Sequence, residues 1–97
     1  MRREQVVSVL RTHFDEIRKE FGVAHLALFG SAARDELHHN SDVDILVTFD
    51  GVPTFDGYMD LKTYLEQLIG TDVDLVTESA VKPRMRPVIE KDLVRVA

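Results

Sequence analysis

Two aspartates, Asp42 and Asp44, stand two residues apart at the start of an apolar segment that ends at Phe49. Alternate side chains of a β-strand point to the same face, so this spacing predicts that both carboxylates project from one side of a strand. With only Val43 between them, the two carboxylates repel each other unless a cation lies beside them, and carboxylate oxygens are ligands that Mg²⁺ prefers. The pair therefore predicts a metal site at the beginning of a strand.

A second feature that could do chemistry is the turn at Gly30 and Ser31, which follows the apolar residues 26–29. A glycine-serine turn between a strand and a short helix, here at residues 32–34, points free backbone N–H groups outward, and such groups suit a phosphate. Taken alone, Ser31 is also consistent with an ordinary helix N-cap. Arg34 lies one helical turn further on, where it could contact a polyphosphate or form a surface salt bridge.

A third carboxylate is expected on a strand over residues 72–77, where Asp72 and Asp74 alternate with apolar residues. Both point the same way, so spacing alone does not decide which of them would join Asp42 and Asp44. The apolar residues that flank Asp74 favour it, whereas Asp72 could begin the strand in solvent. Two carboxylates on one strand and a third on a neighbour can hold two Mg²⁺ ions and support nucleotidyl transfer from a triphosphate.

Together these elements resemble the signature of the nucleotidyltransferase superfamily that is related to DNA polymerase beta. The matching residues are Gly30-Ser31, ten further residues, Asp42-x-Asp44, and Val73-Asp74-Leu75-Val76 as the strand of the third carboxylate. The short length is similar to the minimal (MNT) branch, whose antitoxin-type members are paired with helical HEPN toxins. The resemblance covers residues 26–91, and three separate elements occur in the right order. One departure is Asp35, since the family commonly has glycine after the arginine.

The resemblance implies a site that binds ATP as substrate and two Mg²⁺ ions, with a tyrosine of a HEPN toxin as the acceptor of AMP. Asp42 and Asp44 would bridge both ions, and Asp74 would hold the ion on the nucleophile side and could accept the proton of the hydroxyl. The expected site residues are three carboxylates for catalysis and metal binding and four residues for the nucleotide: Asp42, Asp44 and Asp74, and Gly30, Ser31, Arg34 and Ser41.

The pattern around these residues predicts an α/β (α+β) protein in which a small mixed β-sheet is flanked by helices mainly on one side, and the resemblance implies that this is the nucleotidyltransferase fold. Apolar residues at spacings of three and four predict helices, of which the first two should end at Gly22 and Gly70: residues 3–21, 58–69 and 87–93. Strands are expected at residues 24–29, 43–49 and 72–77, with residues 94–96 as a short edge strand or a frayed end. The face of the second strand that carries Val43, Ile45 and Val47 should meet the core.

Length and composition restrict the class of protein further. Ninety-seven residues predict one small domain, residues 1–97, and the absence of cysteine excludes disulfides and zinc-thiolate sites. No apolar run approaches the ~20 residues of a membrane span, and the N-terminus lacks the apolar core of a signal peptide, which fits a cytoplasmic protein. A net charge of −5 argues against direct nucleic-acid binding through many phosphate contacts.

Two polar segments have alternative interpretations. His38 and His39 could suggest a metal site, but neighbours on a loop seldom ligate one ion, and a solvated turn is favoured. Ser41 would cap or brace the start of the second strand. The basic residues of segment 82–87 could hold a phosphate or an acidic partner, although a solvated face is favoured.

Three functions remain open from the sequence. The first is a Mg²⁺-dependent adenylyltransferase that modifies and neutralises a partner toxin, and the second is a non-catalytic antitoxin that neutralises it by complex formation. Three converging carboxylates favour the enzyme, because occlusion does not need them. The third is transfer to a small molecule or an RNA end, which is disfavoured because the helical acceptor domain of larger family members is missing. The acceptor surface is therefore expected to come from another chain.

Overall fold

The computed structural model describes residues 2–36 and 42–97. The chain begins with two consecutive helices, α1 (Arg3–Thr12) and α2 (Phe14–Phe21), where the sequence predicts a single helix over residues 3–21. That prediction is wrong at His13, whose backbone leaves the helical region (φ −101°, ψ 6°) and whose ring Nδ1 is hydrogen-bonded to the carbonyl of Val9 at 2.9 Å. Because the apolar stripe continues through both helices, its periodicity does not reveal the break.

A mixed sheet follows, as the sequence predicts, and it has four strands in the order β3-β2-β1-β4. Its strands are β1 (Val23–Leu28), β2 (Val43–Phe49), β3 (Val73–Thr77) and β4 (Val94–Arg95). Strand β2 is antiparallel to β1 and parallel to β3, while β4 pairs antiparallel with the other side of β1. The end of β1 and the starts of β2 and β3 therefore lie at one edge of the sheet.

One face of this sheet carries the hydrophobic core. Val43, Ile45 and Val47 of β2 are at most 1% exposed, which confirms the predicted core face of that strand. Helices α1 and α2 and the long helix α4 (Phe55–Ile69) cover this face and contribute the buried residues Val6, Leu10, Ile17, Leu61 and Leu65. Helices therefore lie mainly on one side of the sheet, as expected.

Helix α4 begins three residues before the predicted position and fixes β3 from the core side. Its earlier start is explained by Thr54, whose hydroxyl accepts the Gly57 N–H at 3.0 Å as an N-cap. At the other end, a carboxylate oxygen of Glu66 accepts the Val73 N–H at 3.0 Å. Gly22 and Gly70 end α2 and α4 in the left-handed conformation (φ +65° and +86°), which confirms both predicted helix ends.

The C-terminal segment crosses to the other face of the sheet. It contains a short 3₁₀-helix (Glu78–Ala80), the helix α5 (Arg86–Glu90), which is shorter than predicted, and β4, which is an edge strand rather than a frayed end. Between α5 and the sheet lies a cavity of about 370 Å³ lined by residues that include Ala27, Leu46 and Ile89. Within residues 2–36 and 42–97, no helix is long and apolar enough to cross a membrane.

Candidate active site

The edge where β1 ends and β2 begins is held together at Gly30. The short helix α3 (Gly30–Ala33) starts directly after β1, and the Phe29 N–H donates to the backbone carbonyl of Asp44 at 3.1 Å. Gly30 has φ +61°, and a Cβ at this position would overlap the Oδ2 atom of Asp44. The position therefore requires glycine for two separate reasons, its backbone conformation and its contact with a site carboxylate.

The predicted strand, turn and short helix are present around Ser31. Ala32 and Ala33 are buried in the core and anchor the turn, while Ser31 is partly exposed. The first N–H groups of any α-helix have no acceptor within the helix, so those of Gly30 and Ser31 are available to an anion at this edge. Ser41, His38 and His39 lie outside the described residues.

Arg34 forms the salt bridges that the sequence left as one of two alternatives. Its Nε donates to Glu36 at 3.0 Å and its Nη1 to Asp92 at 3.1 Å. Both partners raise the pKa of Arg34 above its ordinary value, with the hydrogen bond to Glu36 as the largest cause. The bond to Asp92 ties the segment after the turn to the C-terminal part of the chain, and a phosphate would compete with it for the guanidinium.

Asp35 explains how this chain departs from the glycine of the family pattern. Its φ is +59°, and among the described residues no other non-glycine residue has a positive φ. Aspartate adopts the left-handed region more readily than most side chains, so it can replace glycine here at a modest cost. Its Oδ1 accepts the backbone N–H of Arg3 at 2.9 Å, a contact that glycine could not make.

Asp44 and Asp74 face each other on neighbouring parallel strands. The two residues are register partners, so their carboxyl groups lie on the same face of the sheet and act on each other electrostatically. Burial, followed by the negative charge and hydrogen bond of Asp74 and then the charge of Asp42, raises the pKa of Asp44 to about 6, while the positive charge of Arg34 opposes the shift. Asp44 is partly buried and Asp74 is exposed to solvent.

The register also separates the two aspartates between which spacing could not choose. Asp74 lies opposite Asp44, whereas Asp72 precedes β3, is exposed, and uses its backbone carbonyl to accept the Val43 N–H at 3.0 Å. Asp74 is therefore the carboxylate that the fold brings to Asp44. Alternation left both residues open, and the flanking apolar residues and the family pattern favoured Asp74, but only the pairing of β2 with β3 places it there.

The chemistry of this pair fits a divalent cation, although a complete metal site is not assembled. Asp44 and Asp74 present hard oxygen donors whose mutual repulsion a cation would relieve. Within the described residues, however, no group of three or more His, Cys, Asp or Glu side chains is arranged to hold a metal ion. Asp42, the third carboxylate of the predicted set, is exposed just before β2, and its charge acts on Asp44.

Two features near the site were not anticipated from the sequence. One is the cavity under α5, which lies on the same sheet face as Asp44 and begins at Leu46, two residues along β2. The other is the contact of Arg3 with the turn region. Strand alternation could have suggested the cavity, whereas the contact of Arg3 depends on tertiary structure.

In the basic segment 82–87, Arg86 pairs with Glu78 at 3.0 Å and with Glu90 at 3.4 Å.

The site can be compared with known proteins at the level of sequence. The sequence profile of the nucleotidyltransferase domain family matches residues 10–96 of the chain. A protein of Thermococcus cleftensis named protein adenylyltransferase MntA is 40% identical over 93 residues, which cover 96% of this chain and 94% of that protein.

Solved structures agree with this relationship. A structure described as a minimal nucleotidyltransferase superposes with a TM-score of 0.81 at 32% identity, covering 97% of this chain and 95% of that one. A structure of a tri-AMPylated HEPN toxin of Shewanella oneidensis in complex with an MNT antitoxin matches with a TM-score of 0.68 at 16% identity, covering 94% of this chain and 71% of that one, and shares the fold. The chain therefore belongs to the nucleotidyltransferase domain family, and it is a nucleotidyltransferase.

Proposed function

We propose that this nucleotidyltransferase is a Mg²⁺-dependent protein adenylyltransferase that transfers AMP from ATP to a tyrosine of a helical HEPN-type toxin. The observation that carries the proposal is the register pair of carboxyl groups Asp44 and Asp74 beside the glycine turn. Support for a protein acceptor comes from the 40% identical relative named protein adenylyltransferase MntA. A HEPN toxin as that acceptor is suggested by the complex whose MNT antitoxin shares this fold. Such a role would be carried out in the cytoplasm.

In this proposal the turn binds the triphosphate. The N–H groups of Gly30 and Ser31 would cradle the β- and γ-phosphates, and the Ser31 hydroxyl would add one hydrogen bond. Arg34 is close enough for its charge to influence Asp44, and it would contact the polyphosphate in exchange for its bond to Asp92. Ser41 would complete this set at the start of β2.

The proposed reaction needs a proton acceptor and a way to spread negative charge. The tyrosine oxygen forms a bond to the α-phosphorus, the bond from that phosphorus to the bridging oxygen breaks, and pyrophosphate leaves. Asp74, whose side chain is exposed to solvent, would take the phenol proton. Mg²⁺ held by Asp42, Asp44 and Asp74 would neutralise the charge on the triphosphate and the leaving group. Asp44 must be ionised for this role.

Intact-mass analysis provides the direct test. The protein is incubated with ATP, Mg²⁺ and a HEPN-type helical protein encoded beside its gene, and the partner is then weighed. We expect the partner to gain the mass of one or more AMP groups, and to gain none with EDTA or with a tyrosine-to-phenylalanine acceptor. A partner that binds the protein but stays unmodified would contradict the transferase.

One observation favours a second function, neutralisation of the toxin by complex formation alone. The described residues hold no assembled three-ligand metal group, whereas Val52, Phe55 and Val88 expose apolar side chains at 97%, 76% and 73%. Exposed apolar side chains can serve a partner interface without any chemistry. The carboxylate pair favours the enzyme, because a binding module has no need for two repelling acids on adjacent strands.

A further inference from the structure

Arg3 joins the N-terminal helix to the segment that follows the glycine turn. Its Nη1 donates to the carbonyl of Ala33 at 3.0 Å, and its backbone N–H donates to Oδ1 of Asp35 at 2.9 Å. The Ala33 carbonyl belongs to the last turn of α3, where carbonyls have no N–H donor within the helix. The carboxylate of Asp35 lies at the first N–H of α1, where negative charge is favourable. The end of α3 and the start of α1 therefore provide hydrogen-bond partners for each other.

Asp35 holds this arrangement in a backbone conformation that needs support. A non-glycine residue at φ +59° is strained, and such residues persist where surrounding contacts determine them. The hydrogen bond from Arg3 is one such contact, and the Asp35 N–H donates to the carbonyl of Ala32 at 3.3 Å. The chain thus leaves α3 in one defined direction.

The turn between these contacts is too short to determine its own position. An α-helix of four residues is not stable alone, so contacts at its two ends set where its N–H groups lie. At the start, Gly30 lies against Asp44 and the Phe29 N–H binds the Asp44 carbonyl. At the end, Arg3 contacts Ala33 and Asp35, in addition to the burial of Ala33 in the core and the bond from Arg34 to Asp92.

We propose that Arg3 and Asp35 are positioning residues for nucleotide binding, through which helix α1 holds the Gly30–Ala33 turn in register with Asp44. The inference rests on the proposed function, in which this turn binds the triphosphate. It assigns to the N-terminal helix, in addition to its share of the core, control over the geometry of the site. Neither residue touches the nucleotide.

The same helix offers a matched control in Arg11. Its Nε donates to the carbonyl of Val96 at 2.9 Å and its Nη2 to that of Arg95 at 3.5 Å, so it also ties α1 to backbone carbonyls. These contacts lie at the C-terminal strand and not at the turn. Arg11→Ala therefore removes the same kind of bond from the same helix without releasing α3.

Calorimetry with Mg²⁺ and the ATP analogue AMP-PNP, with no acceptor protein present so that no AMP is transferred, tests the assignment on the full chain. We expect Arg3→Ala to raise the Kd about fivefold, the loss of one well-placed hydrogen bond, and Arg11→Ala to change it less than about twofold. Amide hydrogen exchange over residues 30–35 should become faster in Arg3→Ala only. Equal Kd values for wild type and Arg3→Ala, or equal weakening by both variants, would overturn the inference.

A second pair of variants keeps the test independent of folding defects in Arg3→Ala. Asp35→Asn retains an oxygen acceptor and tolerates the left-handed backbone, so its Kd should stay within about twofold of wild type. Asp35→Ala lacks the oxygen acceptor and tolerates the left-handed backbone less well, so it should bind AMP-PNP about fivefold more weakly. Equal weakening by both Asp35 variants would rule out the hydrogen-bond account. Wild-type protein that fails to bind AMP-PNP would overturn the proposed function and this inference together, whereas wild-type binding with no effect of Arg3→Ala overturns only the inference.

Discussion

The two faces of β2 differ in what they bury. The side chains of Val43, Ile45 and Val47 point into the core, are almost fully buried and contain no polar group that would need a hydrogen-bond partner. Asp44, Leu46 and Thr48 point the other way and are only partly buried, and this face has the cavity under α5 and the paired carboxylates. One face of β2 thus stabilises the fold through buried apolar side chains, and the other face carries carboxyl groups that repel each other.

The difference shows that a site with unfavourable electrostatics is held by a well-packed hydrophobic core. A carboxyl whose pKa is raised to about 6 is one whose ionised form the fold disfavours. Reactive sites commonly hold such groups because a substrate or cation later satisfies them. The core face of the same strand provides the rigidity that keeps Asp44 and Asp74 together. Variants on the two faces should therefore have opposite effects on stability and activity.

The largest expected effect is on activity and comes from the open face. Asp44→Asn keeps the size of the side chain but removes a charge that the proposed reaction needs, so AMP transfer should fall by more than about a hundredfold. The fold should be no less stable, because repulsion with Asp74 is relieved. Intact-mass measurement of the partner tests the loss of AMP transfer, and thermal melting tests the unchanged stability.

The same variant separates the two proposed ways of neutralising a toxin. Complex formation with the partner should survive, because the change is confined to the carboxylate site. Cells that express the toxin with Asp44→Asn should die if modification neutralises it. If they survive with an intact complex and an unmodified toxin, occlusion is the mechanism.

The next effect is on stability and comes from the core face. Ile45, the neighbour of Asp44, is fully buried, and Ile45→Ala should lower the free energy of unfolding by about 2–5 kcal/mol. Urea unfolding measures this directly. At temperatures where the variant remains folded, its affinity for Mg²⁺ and AMP-PNP should change far less than its stability. A loss of affinity as large as that of Asp44→Asn would show that the faces are not independent.

Alternation in the sequence was sufficient to assign the two faces but not the pairing between strands. The pattern of Val43, Ile45 and Val47 against Asp44 predicted which side chains enter the core, because the period of a strand is a local property. The position of Asp74 opposite Asp44 depends on the register of β2 and β3, which α4 helps to fix from a distant part of the chain. The predicted roles of Gly30, Ser31, Arg34 and Ser41 remain predictions.

Other differences have similarly physical causes. The break at His13 is invisible to periodicity, and the early start of α4 follows from the cap at Thr54, three residues before Gly57. Asp35 gave a signal as the residue that replaces a glycine, but its bond to Arg3 joins residues 32 positions apart. Local propensity identifies elements, whereas contacts of this kind arise only when the elements pack together.

A smaller effect should distinguish Gly30 from an ordinary left-handed glycine. Gly22 has nearly the same φ as Gly30, but a Cβ there meets nothing within 4 Å. Gly22→Ala should therefore cost only the backbone strain, about 1 kcal/mol, whereas Gly30→Ala adds the overlap with Asp44 and should cost about 2–3 kcal/mol. Chemical denaturation of both variants, together with AMP-PNP binding, which only Gly30→Ala should weaken, makes the comparison. Equal costs and equal binding would mean that contact with Asp44 is unimportant.

The smallest effect is the pH dependence that the open face adds to stability. Because the pKa of Asp44 rises from 3.8 to about 6 on folding, the folded state binds a proton that the unfolded state has already released between about pH 4 and pH 6. Stability from this group is therefore largest below that window and falls as the pH rises through it. The rise of the pKa of Asp44 from 3.8 to about 6 corresponds to about 3 kcal/mol, which solvent screening at a partly exposed site reduces to about 1 kcal/mol.

The measurement compares wild type with Asp44→Asn, because other groups also make stability depend on pH and the comparison cancels their contributions. Glu66 is one of these, since the Val73 N–H lowers its pKa and makes its contribution grow with pH. The stability of wild type relative to the variant should fall by about 1 kcal/mol between about pH 4 and pH 7. Mg²⁺ at neutral pH should recover part of that difference in wild type only, because a cation takes the place of the proton between Asp44 and Asp74. If the stability of the two proteins depends on pH in the same way, the fold does not destabilise the ionised form of Asp44, and the inferred metal affinity of the pair loses its basis.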